Sequence, residues 1–325
     1  MKKFLTLICA FVLSLTACAG LFACGGEGDN GDNPTPTPPP AKTSLTFQAS
    51  STQYDAVGEV AGESADIAVV EKAVFDNYYK RNFDDTIMVI SGDQFAFNTE
   101  QYVMATKKGT DVADFISAAL YHIQNETITV NYTNDGGEKD CKMVDLAKTY
   151  GLSSNLITIA RPSISIEDTP ELGSEFERIL IDGFKIGFVT DVQKRELNNM
   201  PFAGNSHFAG DDGFEVLLMR AVARAYGMTV STTSTNFVDY KDRAQALANG
   251  TVDVLIGGFS EDGWNGDFDF TVPYITNSQV LVIRKADASK YATFAGMKDA
   301  TFTAATGSVG ETLIKSGAVK TAVLG

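Results

Sequence analysis

Asn249-Gly250-Thr251-Val252-Asp253-Val254-Leu255-Ile256-Gly257-Gly258-Phe259-Ser260 ends a helix, makes a strand and turns out of it within twelve residues. Gly250 supplies the left-handed residue that stops a helix. Val252 to Ile256 is short, apolar and β-rich, the form taken by a strand covered on both faces. Outward from this stretch, Tyr240 to Asn249 reads as the preceding helix and Met228 to Thr232 as a β-branched strand. Before that, Phe214, Leu217, Leu218, Ala221, Val222 and Ala225 recur at helical spacing up to Gly227, and Phe184 to Val189 reads as another strand. Strands alternating with helices imply an α/β fold, with a mostly parallel sheet covered on both faces.

The same alternation recurs nearer the N-terminus. Strands are expected at 45–49, 66–70 and 86–90, and helices at about 53–61, 72–80 and 111–124. Residues 126–180 follow neither pattern and read as a connector. A chain of 325 residues is long enough for two domains with separate cores.

Charge narrows the function classes. Asp and Glu number 41 against 26 Lys and Arg, a net −15 with no offsetting basic stripe, which argues against nucleic acid and anionic lipid as partners. His122 and His207 are the only histidines, and Cys141 is the only cysteine beyond residue 24, so neither a zinc cluster nor a disulfide framework is expected, and no cofactor is called for.

Residues 1–17 have the layout of a signal peptide: Lys2 and Lys3, then an apolar run from Phe4 to Leu15, too short to span a bilayer with ease. The run closes on Leu15-Thr16-Ala17-Cys18, which resembles the bacterial lipobox, in which the Cys becomes the lipidated first residue. Leu21-Phe22-Ala23-Cys24 is a second, poorer match because of its bulky Phe. Cleavage before Cys18 removes two lysines and takes the charge from −15 to −17. Residues 18–43, with their Gly/Asp/Asn part and Pro-Thr alternation, form a tether that is flexible and then extended. The expected location is the extracytoplasmic face of the membrane, held through the anchor at Cys18 only.

Gly213-Phe214-Glu215-Val216, Tyr240 before its Ala/Leu helix, the 249–258 stretch, Phe270-Thr271-Val272-Pro273-Tyr274, the strand Gln279 to Arg284, and Thr306-Gly307-Ser308-Val309-Gly310-Glu311 follow one another in a recognisable order. Together they resemble one family, the periplasmic binding proteins for polar amino acids, with the two-lobed type 2 fold. The family's remaining segments resemble Leu45 to Gln48, Ala65 to Glu71, and Gln101 to Gly109. Since these precede the others, the order is rotated and the chain reads as a circular permutant. Lobe two would comprise 44–97 plus 285–325, and lobe one 98–284, with 126–180 joining the family's old termini.

A two-lobed α/β protein binds its ligand at the C-terminal ends of its strands. Gly257 and Gly258 let backbone groups approach a ligand, and Ser260 adds a hydroxyl. Ser308 and Val309, at a strand–helix turn, offer N–H groups to an anion. The resemblance implies that Asn199 lines the cleft, that Tyr240 is an aromatic platform and that Glu71 pairs with a ligand amino group. Each also has a plainer reading, as a loop asparagine, a half-buried tyrosine and a first-turn acid. One departure stands out. The family usually carries an arginine after the equivalent of Ser260, where it grips the ligand's carboxylate. Here Glu261-Asp262-Gly263-Trp264-Asn265-Gly266-Asp267 has no basic residue. Trp264 and the local acids suit a cationic amine.

The resemblance therefore implies a non-enzymatic solute-binding protein that delivers a small polar, amine-bearing solute to the permease of an ABC importer by lobe closure. A ligand-sensing extracellular domain without transport, or a dehydratase-like enzyme using Glu71 and His207, are the alternatives.

Overall fold

The computed structural model describes residues 42–76, 85–131, 137–189, 202, 204–206, 210–228, 236–238, 243–261 and 266–325. The signal and tether up to residue 41, Cys18, Asn199, His207, Tyr240 and Trp264 lie outside the described residues, as do the second half of the 72–80 helix and most of the 228–232 strand.

In chain order the strands are β1 Thr46–Ser50, β2 Ile67–Glu71, β3 Ile87–Val89, β4 Ala96–Tyr102, β5 Ala105–Lys107, β6 Ile128–Asn131, β7 Glu138–Cys141, β8 Ile186–Val189, β9 Gly204–Ser206, β10 Gly210–Asp212, β11 Asn236–Val238, β12 Val254–Ile256, β13 Phe268–Phe270, β14 Ile275–Arg284 and β15 Thr301–Ala305. Two larger sheets organise the fold. The first runs β1-β15-β2-β14-β3, with β4 also on β14; the second runs β11-β8-β12-β5-β13.

Each sheet has a parallel half and an antiparallel half. In the first, β1, β15 and β2 are parallel, with Thr46 opposite Thr301 and Ser50 opposite Ala305. β14 then runs against β2, β3 and β4. In the second, β11, β8 and β12 are parallel, while β5 and β13 run antiparallel to their neighbours. The sequence alternation accounts for the parallel halves, because β1, β11 and β15 run on into a helix and β8 reaches one after β9 and β10. The antiparallel halves come from β4–β5 and β13–β14, successive strands that lie in different sheets. The chain therefore passes between the sheets at 103–104 and again at 271–274.

Alternation along the strands builds the first sheet's two apolar layers. Ile67, Val69, Leu281, Ile283, Phe302 and Ala304 pack with the helices Val309–Lys315 and Ala318–Leu324. Ala68, Val70, Val280 and Val282 belong to the cluster that holds Ala56, Val57 and Val60 of the helix Gln53–Ala61. That helix starts at Thr52, whose hydroxyl accepts from the Asp55 N–H at 3.0 Å.

Residues 126–180 are folded into the core. They contain the β6–β7 hairpin and the helices Met143–Thr149 and Glu175–Asp182, and bury Val130, Met143, Leu146 and Phe176 with the helices Val112–Asn125 and Phe214–Ala225. Phe176 stacks on Phe115 at 4.3 Å. Arg178 donates to Asp253 at 2.5 Å and to Glu175 at 2.9 Å. Its apolar residues are too irregularly spaced to announce this, since they serve a hairpin, short helices and loops in turn.

Candidate functional site

Glu71 is the last residue of β2, on the edge where the parallel strands β1, β15 and β2 all end. The half-buried side chain is held from three elements. The Gln53 amide donates to one carboxylate oxygen at 2.9 Å and accepts the Glu71 main-chain N–H at 2.8 Å. The other oxygen accepts from the Tyr102 hydroxyl at 2.7 Å and the Asn277 amide at 3.3 Å. Asn277 in turn donates to the Tyr102 oxygen at 2.8 Å and accepts from the Ala73 N–H at 3.1 Å. Tyr102 and Asn277 are buried, so this network fixes the carboxylate's place.

Two further carboxylates bear on it. Glu100 is buried on β4 and accepts from Gln279 at 3.0 Å. β4 changes register at Ser278/Gln279 of β14, and Asn98, at φ 46°, is the extra residue of that bulge. Glu215 is buried on the helix Phe214–Ala225. Loss of hydration and the negative charges of Glu100 and Glu215 push the Glu71 carboxyl up to about 7, against the pull of the Tyr102 and Gln53 hydrogen bonds. Burial also raises Glu215, opposed by its own hydrogen bonds.

Glu215 spends its oxygens at the end of β12. It accepts from the N–H groups of Gly257 and Gly258, the latter at 3.1 Å, and from the Tyr274 hydroxyl at 2.7 Å. The two glycine N–H groups therefore point at the protein's own carboxylate. Gly258, at φ +74°, also lies against Tyr102, whose ring would be 3.1 Å from an added Cβ. Ser260 forms a bridge with Tyr102. Tyr102 is thus the residue around which Glu71, Gly258 and Ser260 come together.

The two crossings carry a matched pair of buried tyrosines. The Tyr274 N–H donates to the Tyr102 carbonyl at 3.2 Å. Tyr102 gives its hydroxyl to Glu71 on the first sheet, and Tyr274 gives its own to Glu215 beside the second.

Ser308 and Val309 follow β15 on the same edge of the first sheet as Glu71. Ser308 caps its helix by accepting from the Glu311 N–H at 3.3 Å, and the Glu311 carboxylate takes the Gly307 N–H at 2.5 Å. An acid from the helix itself thus occupies part of the turn expected to receive an anion.

Tyr102, Asn277, Gln53, Glu100, Glu215 and Tyr274 went unassigned in the sequence reading. One signal was present: Ile275, Asn277 and Gln279 alternate and are all buried, so two amides sit on the inner face of β14. Polar residues on a buried face need partners, and those partners are Glu71, Tyr102 and Glu100.

Residues 198–321 match the family model described as bacterial extracellular solute-binding proteins, family 3. Searches of curated proteins and of solved structures gave no match. The matched range contains Glu215, Gly257, Gly258, Ser260, Ser308 and Val309, whereas Glu71 and Tyr102 precede it. The match supports an extracellular solute-binding role, and a binding rather than a catalytic one.

Proposed function

We propose that this chain is a lipid-anchored extracellular solute-binding protein that takes a small polar, amine-bearing solute and passes it to the permease of an ABC importer. The carrying observation is Glu71. Its carboxylate stands at a strand end, beside the crossings between the sheets, and meets the turn after β12 through Tyr102. A carboxylate in that position is suited to an ammonium group. The lack of a basic residue among 261–267 disfavours a ligand that must be held by its carboxylate.

In this reading the first sheet is lobe two and the second is lobe one. Because β4 and β14 belong to the first sheet, lobe two takes in residues up to 102 and from 275 onward, beyond the 44–97 and 285–325 expected from the sequence. The solute lies between them, with Glu71, Ser308 and Val309 on one side and Gly257, Gly258 and Ser260 on the other; Asn199, Tyr240 and Trp264 are further ligand contacts that the resemblance implies. Lobe closure stabilised by the ligand follows from a site divided in this way. The parallel pairing of β1 with β15 supports the permuted order, because the first and last strands among the described residues build one sheet. Cys18 carries the lipid, and 18–43 hold the binding unit off the membrane.

A thermal-shift screen with amino acids, amines and oligopeptides tests the proposal. A solute at a hundred times its dissociation constant raises stability by about 2.7 kcal/mol. An amine should stabilise the chain, and Glu71→Gln should weaken its binding by about 1.5–3 kcal/mol. Stabilisation by none of the three classes overturns the reading; stabilisation undiminished in Glu71→Gln removes Glu71 from the site.

A further inference from the structure

We propose that Glu71 is a proton-for-cation exchange group: it holds a proton while the site is empty and releases it to solvent when an ammonium is seated. The inference rests on the solute-binding reading for the identity of the cation, and on the geometry around Glu71 for the proton.

Three of the positions at which the carboxylate can accept are taken, by Gln53, Tyr102 and Asn277. All three donors are uncharged, so they orient the group without neutralising it. The charged and titratable groups on the elements around it are as follows. β4 brings Glu100 and Tyr102, and the helix Phe214–Ala225 brings Glu215, the buried Arg220, and Arg224, which pairs with Glu138. On β14 the residue opposite Glu71 is the neutral Gln279, while Arg284 lies at the far end with Asp66 and Asp287. The helix Gln53–Ala61 carries Tyr54, Asp55 and Glu59, and Glu59 takes the hydroxyls of Ser50 and Thr303. Lys72, next in sequence, is exposed and paired with Asp76, and Lys315 on the helix behind β2 is paired with Glu311. Arg224, Arg284, Lys72 and Lys315 are thus engaged with other acids, and the charges that bear most on Glu71 are those of Glu100 and Glu215.

A partly desolvated carboxylate facing two more carboxylates binds whichever cation is supplied. In the empty site that cation is a proton, and its midpoint falls at about 7. An incoming ammonium supplies the same positive charge, so the proton leaves and one cation replaces another. Capture is then favoured at alkaline pH and release at acid pH.

The test has two arms on the full chain. First, the Glu carboxyl carbons are followed by 13C NMR from pH 4 to 9, and the Glu71 resonance is identified by its loss in Glu71→Gln. Should that variant fail to fold, Tyr102→Phe identifies the same resonance by moving its midpoint upward. A midpoint near 7 supports the proposal, and one below 5.5 overturns it. Second, the binding of ethanolamine, 1,4-diaminobutane and arginine is measured by calorimetry at pH 6 and pH 8. A midpoint of about 7 makes the ionised fraction, and hence the affinity, roughly tenfold larger at pH 8. Equal affinity at both pH values overturns the exchange and leaves solute binding intact. A midpoint near 7 with no binding of any probe at either pH supports the proton-holding carboxyl and counts against the amine reading.

Discussion

Glu71 shows what a single side chain does when its neighbours are chosen by the fold. Its carboxyl lies well above the ordinary 4.5, so the folded chain binds that proton more tightly than the unfolded chain does. The stabilising contribution is therefore fully present below about pH 4.5 and is lost as pH rises through about 7. A shift of this size corresponds to a loss on the order of 3 kcal/mol. Chemical denaturation at pH 5 and pH 8 should show this difference, and Glu71→Gln should reduce it. Tyr102→Phe removes a donor that favours ionised Glu71, so it should cost about 1–3 kcal/mol at pH 8 and less at pH 5. An equal loss at both pH values would mean that Tyr102 acts by packing alone.

Among elements, the helix Val309–Lys315 owes its position to one glycine. A Cβ on Gly310 would stand 2.6 Å from the Val69 carbonyl oxygen, so only glycine allows this helix to lie so close to β2. Gly310→Ala should destabilise by about 1–3 kcal/mol, read as a lower thermal midpoint. The helix Glu175–Asp182 depends on a charge instead. Arg178 donates to Asp253, whose side chain is only 2% exposed beside β12. Arg178→Ala leaves that buried acid with the Lys185 N–H but without its guanidinium partner, and the loss expected is about 1.5–3 kcal/mol. The loss should shrink in Asp253→Asn, where the amide does not need a cation; an undiminished loss would assign Arg178 a packing role only.

For the whole molecule, the decisive contact joins the two ends of the folded chain. β15 lies between β1 and β2, and these two do not pair with each other. Truncation after Ala300 would leave β1 without a partner and open both β1 and β2 at their edges. Limited proteolysis should then cut within residues 42–66 at once, whereas the full chain should resist there. Equal resistance of the two chains would show that the N-terminal segment folds by itself.

Much of the architecture is legible in the sequence. Apolar runs, helical spacing and terminating glycines locate β2 near 66–70, the helix at 53–61 and the helix from 214, because these depend on residues near one another in the chain. Glu71, Gly258 and Ser260 were legible as candidates because they stand at strand ends. Their partners were not. Tyr102 meets Glu71 across 31 positions, Asn277 across 206, and Glu215 meets Gly257 across 42. No local pattern encodes such pairs, since which buried amide or hydroxyl faces which carboxylate depends on strand register and on the bulge at Asn98. The sequence by itself determined the elements and the acids at their ends. The tertiary structure decided the antiparallel halves of both sheets, the folding of 126–180 into the core, and the surroundings that raise Glu71, because burial and facing charge exist only once distant segments are packed.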